Sequence, residues 1–579
     1  MDPLKYIVPG RKRLPYGMMN FADIRQDNYY YVDKTRFIPM IEEADRFFFF
    51  IRPRRFGKSL TLNLLRQYYD VRTRDKFEAL FGDLYIGQHP TPSRNSYLVL
   101  HLNFSGIGGE LNDYRRGLDA HCGITFENFC KIYADLLPQD TLEGLRKANG
   151  AVEQLDFLCQ ACERAGQDMY LFIDEYDHFT NTILSSPESL RRYTDETHGE
   201  GYLRAFFNKV KAGTDSCIKR CFITGVSPVT MDDLTSGYNI AEILTLESDF
   251  INMLGFTHAE ADAYLRYVLD KYTGSQERYD EIWQLIVNNY DGYRFSPKGE
   301  KLFNATILTY FLKNFATRHG EVPEEMIDEN LRTDIGWLRR LTLSLENSKA
   351  MLDALVIDNG LYYNVADLSS KFNKQKFFDK NFYPVSLFYL GMTTLFNDYR
   401  MMLPNLTMRS IYMDYYNVLN RIDGGAMRYA PVYERFTQER DFESLVQNYF
   451  EQYLGQFPAQ VFDKINENFI RCSFFELVSR YLSSCYTFAI EQNNSEGRAD
   501  FEMTGIPGTD YYTDDRLVEF KYYKAKEAEK MLGLDAPLPE HVEQVHRYAE
   551  DTLRHFPNYK MRTYVVYICA NRGWKCWEV

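Results

Sequence analysis

Two sets of polar side chains in this 579-residue chain have the types and spacing that phosphate chemistry requires. The first is Arg52-Pro53-Arg54-Arg55-Phe56-Gly57-Lys58-Ser59, with Asp174 and Glu175 far downstream. If a helix opens here, the backbone amides of Arg55, Phe56, Gly57, Lys58, Ser59 and Leu60 face phosphate oxygens, and the helix dipole favours their negative charge. Lys58 would reach the β- and γ-phosphates of ATP, and the Ser59 hydroxyl would hold Mg²⁺. Asp174 would orient the ion's water shell, with Glu175 as the catalytic base that polarises an attacking water. Arg52 stands where the common phosphate-loop pattern has Gly, so this loop must turn differently. Thr224 or Ser227 could sense the γ-phosphate, and a hydroxyl capping the next turn accounts for either equally well.

The second set lies near the C-terminus: Gly497-Arg498-Ala499-Asp500-Phe501 and Val518-Glu519-Phe520-Lys521. Alternation along a strand puts Glu519 and Lys521 on one face and Val518 and Phe520 on the other. Gly505 to Asp510 between the two is turn chemistry, which suits an antiparallel pair. Two carboxylates on adjacent strands, Asp500 and Glu519, make a hard-oxygen site for Mg²⁺ or Mn²⁺. Lys521 could orient a metal-bound water and offset charge on a phosphate in transit. Glu467, in a helical pattern with Phe462, Ile465, Phe469 and Cys472, supplies a third catalytic acid; Glu476 is its rival. Gln544 and Tyr548 are four apart on one helix face and could bind a nucleic-acid backbone.

These residues need elements to hold them. Short apolar runs at 47–51, 97–103, 169–173 and 219–224 alternate with helical patterns, the mark of α/β units on a parallel sheet. From about Ala259 to Val418 the pattern is mostly helical, and Phe382 to Asn405 could be a helix followed by strands, as in a winged helix, with packing between the outer domains explaining it equally well. Asp423-Gly424-Gly425 marks a boundary. Beyond it come a helical stretch, a strand-like run from Thr487 through Met503, a second at 517–522, a helix, and a strand at 562–569. The expected fold is a multidomain α/β chain. It comprises a phosphate-loop core over 1–258, a helical lid or linker over 259–423, and a C-terminal α/β domain over 424–579.

Composition narrows the class. With 45% hydrophobic and 26% charged residues, wholesale disorder, collagen and coiled coil are excluded. No apolar run reaches the length of a spanning helix, and Met1 to Lys5 does not open a secretory leader. Ten scattered cysteines, the pairs Cys159/Cys162 and Cys217/Cys221 among them, read as buried reduced thiols, so a cytoplasmic location is expected. The net charge of −14 argues against adhesion to nucleic acid over the whole surface but allows a local basic groove.

Arg52 to Leu60, with Tyr31 to Thr35, Ile173 to Asp177, Thr224 to Pro228, Met253 to Thr257 and Tyr290 to Phe295, resembles the AAA-ATPase-like family found with PD-(D/E)xK nuclease domains in bacteria. That family also carries Arg in place of the first loop Gly. The ordered series Glu467, Asp500, Glu519-x-Lys521 and Gln544-x-x-x-Tyr548, over about 440–579, resembles the PD-(D/E)xK nuclease superfamily, which implies a restriction-endonuclease-like α/β fold for 424–579 beside a P-loop ATPase. There the helix acid follows Asn, as in Asn466-Glu467, which favours Glu467; the His often found four residues later is Arg471. The resemblance implies ATP binding and hydrolysis, Mg²⁺ or Mn²⁺ as the metal, and DNA or RNA as a partner, with oligomers allowed. The alternative is a nucleotide-dependent switch whose nuclease-like domain is catalytically silent. Arg294 is a further lid candidate, with a surface ion pair its favoured role.

Overall fold

The computed structural model describes residues 10–107, 114–178, 201–228, 242–323, 325–326, 348–368, 376, 379, 381–490, 499–555 and 559–579. Five strands form the first sheet: β1 (Phe47–Ile51), β2 (Leu98–Asn103), β3 (Met169–Asp174), β4 (Ile218–Gly225) and β5 (Glu242–Ile243). Their order is β2-β3-β4-β1-β5, and every pairing is parallel. β3 is apolar from Met169 to Ile173 and β4 from Cys221 to Ile223, as strand segments covered on both faces must be. Helices Lys58–Tyr69, Gly150–Arg164 and Tyr202–Thr214 supply the cover. Because β4 lies between β1 and β3, the phosphate loop after β1 and the acids closing β3 share one sheet edge with the end of β4 between them.

The middle of the chain is helical, as its pattern predicted. Helices His258–Val268, Tyr279–Tyr290 and Ala305–Thr317 surround their own apolar cluster. Thr257 opens the first with a reciprocal capping box to Glu260. Beyond it a small antiparallel sheet combines β6 (Leu361–Tyr362), β7 (Thr394–Leu395) and β8 (Arg400–Met402). Phe382 to Asn405 is thus a helix, Tyr383–Tyr389, followed by two short strands. At Asp423-Gly424-Gly425 the chain turns into helix Ala426–Glu439. One apolar cluster nevertheless runs on across this turn, because helix Leu406–Leu419 packs on helix Glu467–Leu482.

The last sheet contains β9 (Tyr486–Ile490), β10 (Phe501–Gly505), β11 (Asp515–Tyr523), β12 (Met561–Cys569) and β13 (Gly573–Glu578). Its order is β13-β12-β11-β10-β9, and only the β11–β12 pairing is parallel. The run expected from Thr487 through Met503 is therefore two antiparallel strands, and β13 joins a sheet that the sequence pattern left without it. Helix Glu467–Leu482 covers one face through Phe474, whose ring meets Phe501 and Phe520. Helix Pro539–His555 covers the other through Val545 and Ala549. Among the described residues no helix is long and apolar enough to cross a membrane.

Candidate functional sites

The phosphate-loop site starts from β1. After Ile51 the chain bends through Arg55, at φ 71°, to Gly57 at φ 100°, and helix Lys58–Tyr69 begins without a side-chain cap. Its first-turn amides therefore lack both an intrahelical acceptor and a capping oxygen, as an anion cradle requires. Gly57 is needed there because a side chain strains at that φ. Lys58 is buried and its ammonium donates to the carbonyls of Arg52 and Pro53 at 3.0 and 2.9 Å. Burial lowers its pKa, while Glu175, Asp174 and Asp177 pull the other way.

Arg52 is the structural answer to the missing loop glycine. Its guanidinium is fully buried, donates to Thr245 O at 2.5 Å and Ile251 O at 3.3 Å, and lies over the rings of Phe50 and Phe295. Burial pulls its pKa down to about 9. The strand end is thus tied to residues 245–251 instead of curling tightly on itself. Phe56 anchors the other side, edge-on to Tyr293 and Phe295, and its carbonyl accepts from Gly255 N at 3.1 Å. Asn304 and Thr306 bind the carbonyls of Arg54 and Arg55, both at 3.2 Å. A side chain at Gly391 would bring Cβ to 2.6 Å from Pro53 Cβ. The middle domain clamps the loop from several directions.

Asp174 closes β3, buried, and hydrogen-bonds with Ser59; burial pushes its pKa up. Glu175 is half-buried and held at φ 54°, a backbone state uncommon for Glu. The structure therefore brings Lys58, Ser59, Asp174 and Glu175 to one sheet edge. The Thr224 hydroxyl donates to Phe50 O at 2.6 Å inside the core, so its proton is committed to the backbone. The sequence reading gave Asp177 no role, yet its carboxylate accepts from Val226 N and Ser227 N, the latter at 2.7 Å. Burial raises Asp177 to about 6. Gly225 lets it in: a Cβ there would lie 2.4 Å from Asp177 Oδ1. That glycine, three residues ahead of Pro228, was the available signal. Arg294 donates to the Phe396 carbonyl at 3.4 Å, so a backbone oxygen is the partner in place of the expected carboxylate.

The second site forms where β10 begins and β11 runs on past it, still paired with β12 on its other side. Phe501 pairs with Val518, so one further step of the register sets Asp500 opposite Glu519. Past that point the β10-facing amides of Phe520 and Tyr522 have no ladder partner, and carboxylates take them. Asp500 Oδ2 accepts from Phe520 N at 2.8 Å, and Glu467 Oε1 accepts from Tyr522 N at 3.4 Å. Asn466 caps helix Glu467–Leu482, which fixes Glu467 at its first position. Lys521 Nζ lies 2.6 Å from Glu519 Oε1 and 3.9 Å from Glu467 Oε2. Arg471, one turn after Glu467, binds Asp500 Oδ1 at 2.8 Å.

Glu467, Asp500, Glu519 and Lys521 thus meet at one place, while Gly497 and Arg498 lie outside the described residues. Glu476 points elsewhere: buried, it pairs with Arg480 and accepts from Asn417 at 3.5 Å in the contact with helix Leu406–Leu419. Burial and neighbouring carboxylates raise Asp500 to about 6 and Glu519 to about 8. Burial pulls Lys521 down, but Glu519, Glu467 and Asp500 outweigh it and hold its ammonium above its ordinary value. Glu519 Oε2 is buried with no hydrogen-bond partner among the described residues. Such an orphaned carboxylate oxygen, beside a second buried carboxylate, fits a divalent cation held by Asp500 and Glu519. Among the described residues no three His, Cys, Asp or Glu side chains gather closely enough to hold a metal. That absence extends to the thiols: Cys159 and Cys162 each hydrogen-bond with Cys217 in the core.

Gln544 and Tyr548 flank the buried stripe of helix Pro539–His555, joined by a 3.4 Å hydrogen bond, both half-buried. His541, on the same helix, reaches Tyr567 OH at 2.6 Å; burial, then Lys521, lowers its pKa. The sequence reading passed over His541 and Tyr567. Lys521 pairs in register with Tyr567, a relation visible only once β11 and β12 are known to run parallel.

Residues 15–235 match the family model described as predicted AAA-ATPase, and residues 465–578 match that of the PD-(D/E)XK nuclease superfamily. A protein of Azotobacter chroococcum mcd 1, described as an uncharacterized protein in the vnfD 5' region, is 29% identical over 297 residues. The alignment covers 51% of this chain and 50% of that protein, so the chain spans about half the length of the curated relative. No solved structure matches the chain. At family level the two matches support nucleotide-hydrolysis and nuclease-like roles. The chain carries a predicted AAA-ATPase-like domain and, at its C-terminal end, a PD-(D/E)XK nuclease superfamily domain.

Proposed function

We propose that this chain binds and hydrolyses ATP at the phosphate loop and, coupled to it, cleaves phosphodiester bonds of DNA or RNA at the C-terminal site. The observation that carries the second half is Glu519 Oε2, a buried carboxylate oxygen without a partner among the described residues, beside Asp500 and Lys521. In this reading the amides of residues 55–60 and Lys58 bind the phosphates, Ser59 and Asp174 hold Mg²⁺, and Glu175 takes the proton of the attacking water. At the second site Asp500 and Glu519 would hold Mg²⁺ or Mn²⁺, which supplies a polarised water and an electrophile for the phosphate. Lys521, held between Glu519 and Glu467, orients the nucleophile and offsets charge on the phosphate. Gln544 and Tyr548 bind the strand backbone. The working division is 1–258, 259–423 and 424–579, and ten cysteines without a disulfide suit a bacterial cytoplasm.

Coupling has a physical route. The clamp on residues 53–56 belongs to the middle domain, where Asn405 Nδ2 binds Asp291 O at 2.8 Å at the cap of helix Leu406–Leu419. That helix meets Glu467–Leu482 through Arg409 to Cys472 Sγ at 3.5 Å and the Tyr416–Phe469 ring pair. Asn468, beside Glu467, donates to the carbonyls of Val356 and Ile357 at 3.1 and 3.0 Å. A shift of the loop on taking up nucleotide would pass through packed side chains to the helix that carries Glu467.

The test incubates purified protein with plasmid, linear duplex, single-stranded DNA and RNA, with and without ATP and Mn²⁺. Metal-dependent cutting that changes with ATP in the native protein and not in Lys58→Ala supports the proposal. Identical cutting in all these conditions removes the coupling. A second reading, a nucleotide-dependent switch with a silent nuclease-like domain, draws on Arg471 and Lys521 already neutralising both carboxylates. Mn²⁺ binding at Asp500 and Glu519 would count against it.

A further inference from the structure

Asp500 stands between two donors of different kinds. One oxygen accepts the Phe520 amide at 2.8 Å, and the other accepts the Arg471 guanidinium at 2.8 Å. Both side chains of the Arg471–Asp500 pair are more than nine-tenths buried. Arg471 follows Glu467 by one helical turn, so the helix that offers an acid to the site also delivers a permanent cation to its neighbour. Paired with a carboxylate, the Arg471 guanidinium is a standing cation, so movement is what takes this charge away. A divalent ion on Asp500 would meet a like charge at close range in a poorly screened place. Each of the two carboxylates read as metal-holding already carries a cation, Arg471 on Asp500 and Lys521 on Glu519.

We propose that Arg471 is a built-in counter-cation for Asp500 that a divalent metal must displace, which keeps metal uptake weak until the guanidinium moves to another anion. The proposal rests on the reading of Asp500 and Glu519 as metal-holding carboxylates. The anion that frees Arg471 is by chemistry a phosphodiester: its two oxygens suit the planar fork and it arrives only with substrate. Arg471 is thus a positioning residue for metal binding, and metal and nucleic acid bind with positive linkage. Loss of the guanidinium leaves Asp500 buried without its ion pair, a cost that a bound cation would offset.

The experiment titrates full-length protein with MnCl₂ by calorimetry at pH 8, without nucleic acid, for the native chain, Arg471→Gln, Arg471→Lys and Asp500→Asn. Thermal melting with and without Mn²⁺ runs beside it. Arg471→Gln should bind Mn²⁺ about tenfold more tightly than the native chain, and Mn²⁺ should raise its melting temperature by more. Arg471→Lys keeps the charge and should stay near native affinity; Asp500→Asn should bind poorly. Arg471→Ala takes the place of the Gln variant if that one does not fold by circular dichroism. Native affinity at Asp500 with no gain in the neutral variants overturns the counter-cation while leaving the metal site standing. No Mn²⁺ bound by any variant overturns the metal reading itself, and the proposal with it.

Discussion

Glu519→Gln should stabilise the C-terminal sheet at alkaline pH and leave it nearly unchanged in mild acid. Burial, with Asp500 second, raises Glu519 from an ordinary 4.5 to about 8 in the folded chain. A carboxyl raised in this way favours folding most when protonated. Its contribution is full below the unfolded value and is lost as pH climbs through the folded one. At about 1.4 kcal/mol per pH unit the window from pH 5 to pH 8 costs at most about 3 to 4 kcal/mol. Asp500, raised from 3.8 to about 6, adds to it with the same sign. Gln keeps the shape and removes the charge, and its carbonyl oxygen can still accept from Lys521, whose pull on the carboxylate is already contained in the raised value. The net expectation is a gain of up to about 3 kcal/mol above pH 7. Hydrogen exchange of amides 515–523, corrected for intrinsic rates, measures it in metal-free protein across pH 5 to 8. Protection in the native chain that is flat with pH, or a Gln variant that follows the native curve, would refute the reasoning.

Arg52→Gly restores the common loop residue but should lower stability by about 2 to 4 kcal/mol through lost buried hydrogen bonds and ring contacts; thermal melting checks it, and tighter ATP binding at unchanged stability would contradict it. Gly391→Ala, at φ 75° and against Pro53, should cost about 1 to 3 kcal/mol and weaken ATP binding severalfold in a fluorescent-nucleotide titration. Glu467→Gln should reduce nucleic-acid cutting about a hundredfold or more with little change in stability. Glu476→Gln, which breaks a buried pair with Arg480, should do the reverse and cost about 3 kcal/mol; cutting rates and melts on both variants decide between these acids.

The parallel sheet was legible because β1 to β4 are apolar runs whose strand-end residues carry the chemistry, and local pattern suffices for that. The meeting of Asp500, Glu519 and Lys521 was legible from alternation and the turn residues between them, and the choice of Glu467 over Glu476 from the family resemblance. What escaped was whatever depends on a non-local partner. Arg52 looked like a defect in a loop because its acceptors, Thr245 and Ile251, lie about two hundred residues on. Thr224 looked like a sensor because its strand end is in the right place, while its acceptor, Phe50 O, belongs to the neighbouring strand. The single run from Thr487 to Met503 hid a reversal because both halves are apolar and β-prone, so alternation does not separate them. Arg471 was visible only as a departure from a pattern, and its bond to Asp500 came from the fold.

The most direct measurement is cutting of a labelled nucleic acid in Mn²⁺ and ATP by the native chain, Asp500→Asn and Lys521→Met, with ATP binding recorded on the same samples. The account predicts that the native chain cuts, that both variants lose cutting, and that all three bind ATP alike. Undiminished cutting by both variants, or none by the native chain on any of the four substrates, would contradict it.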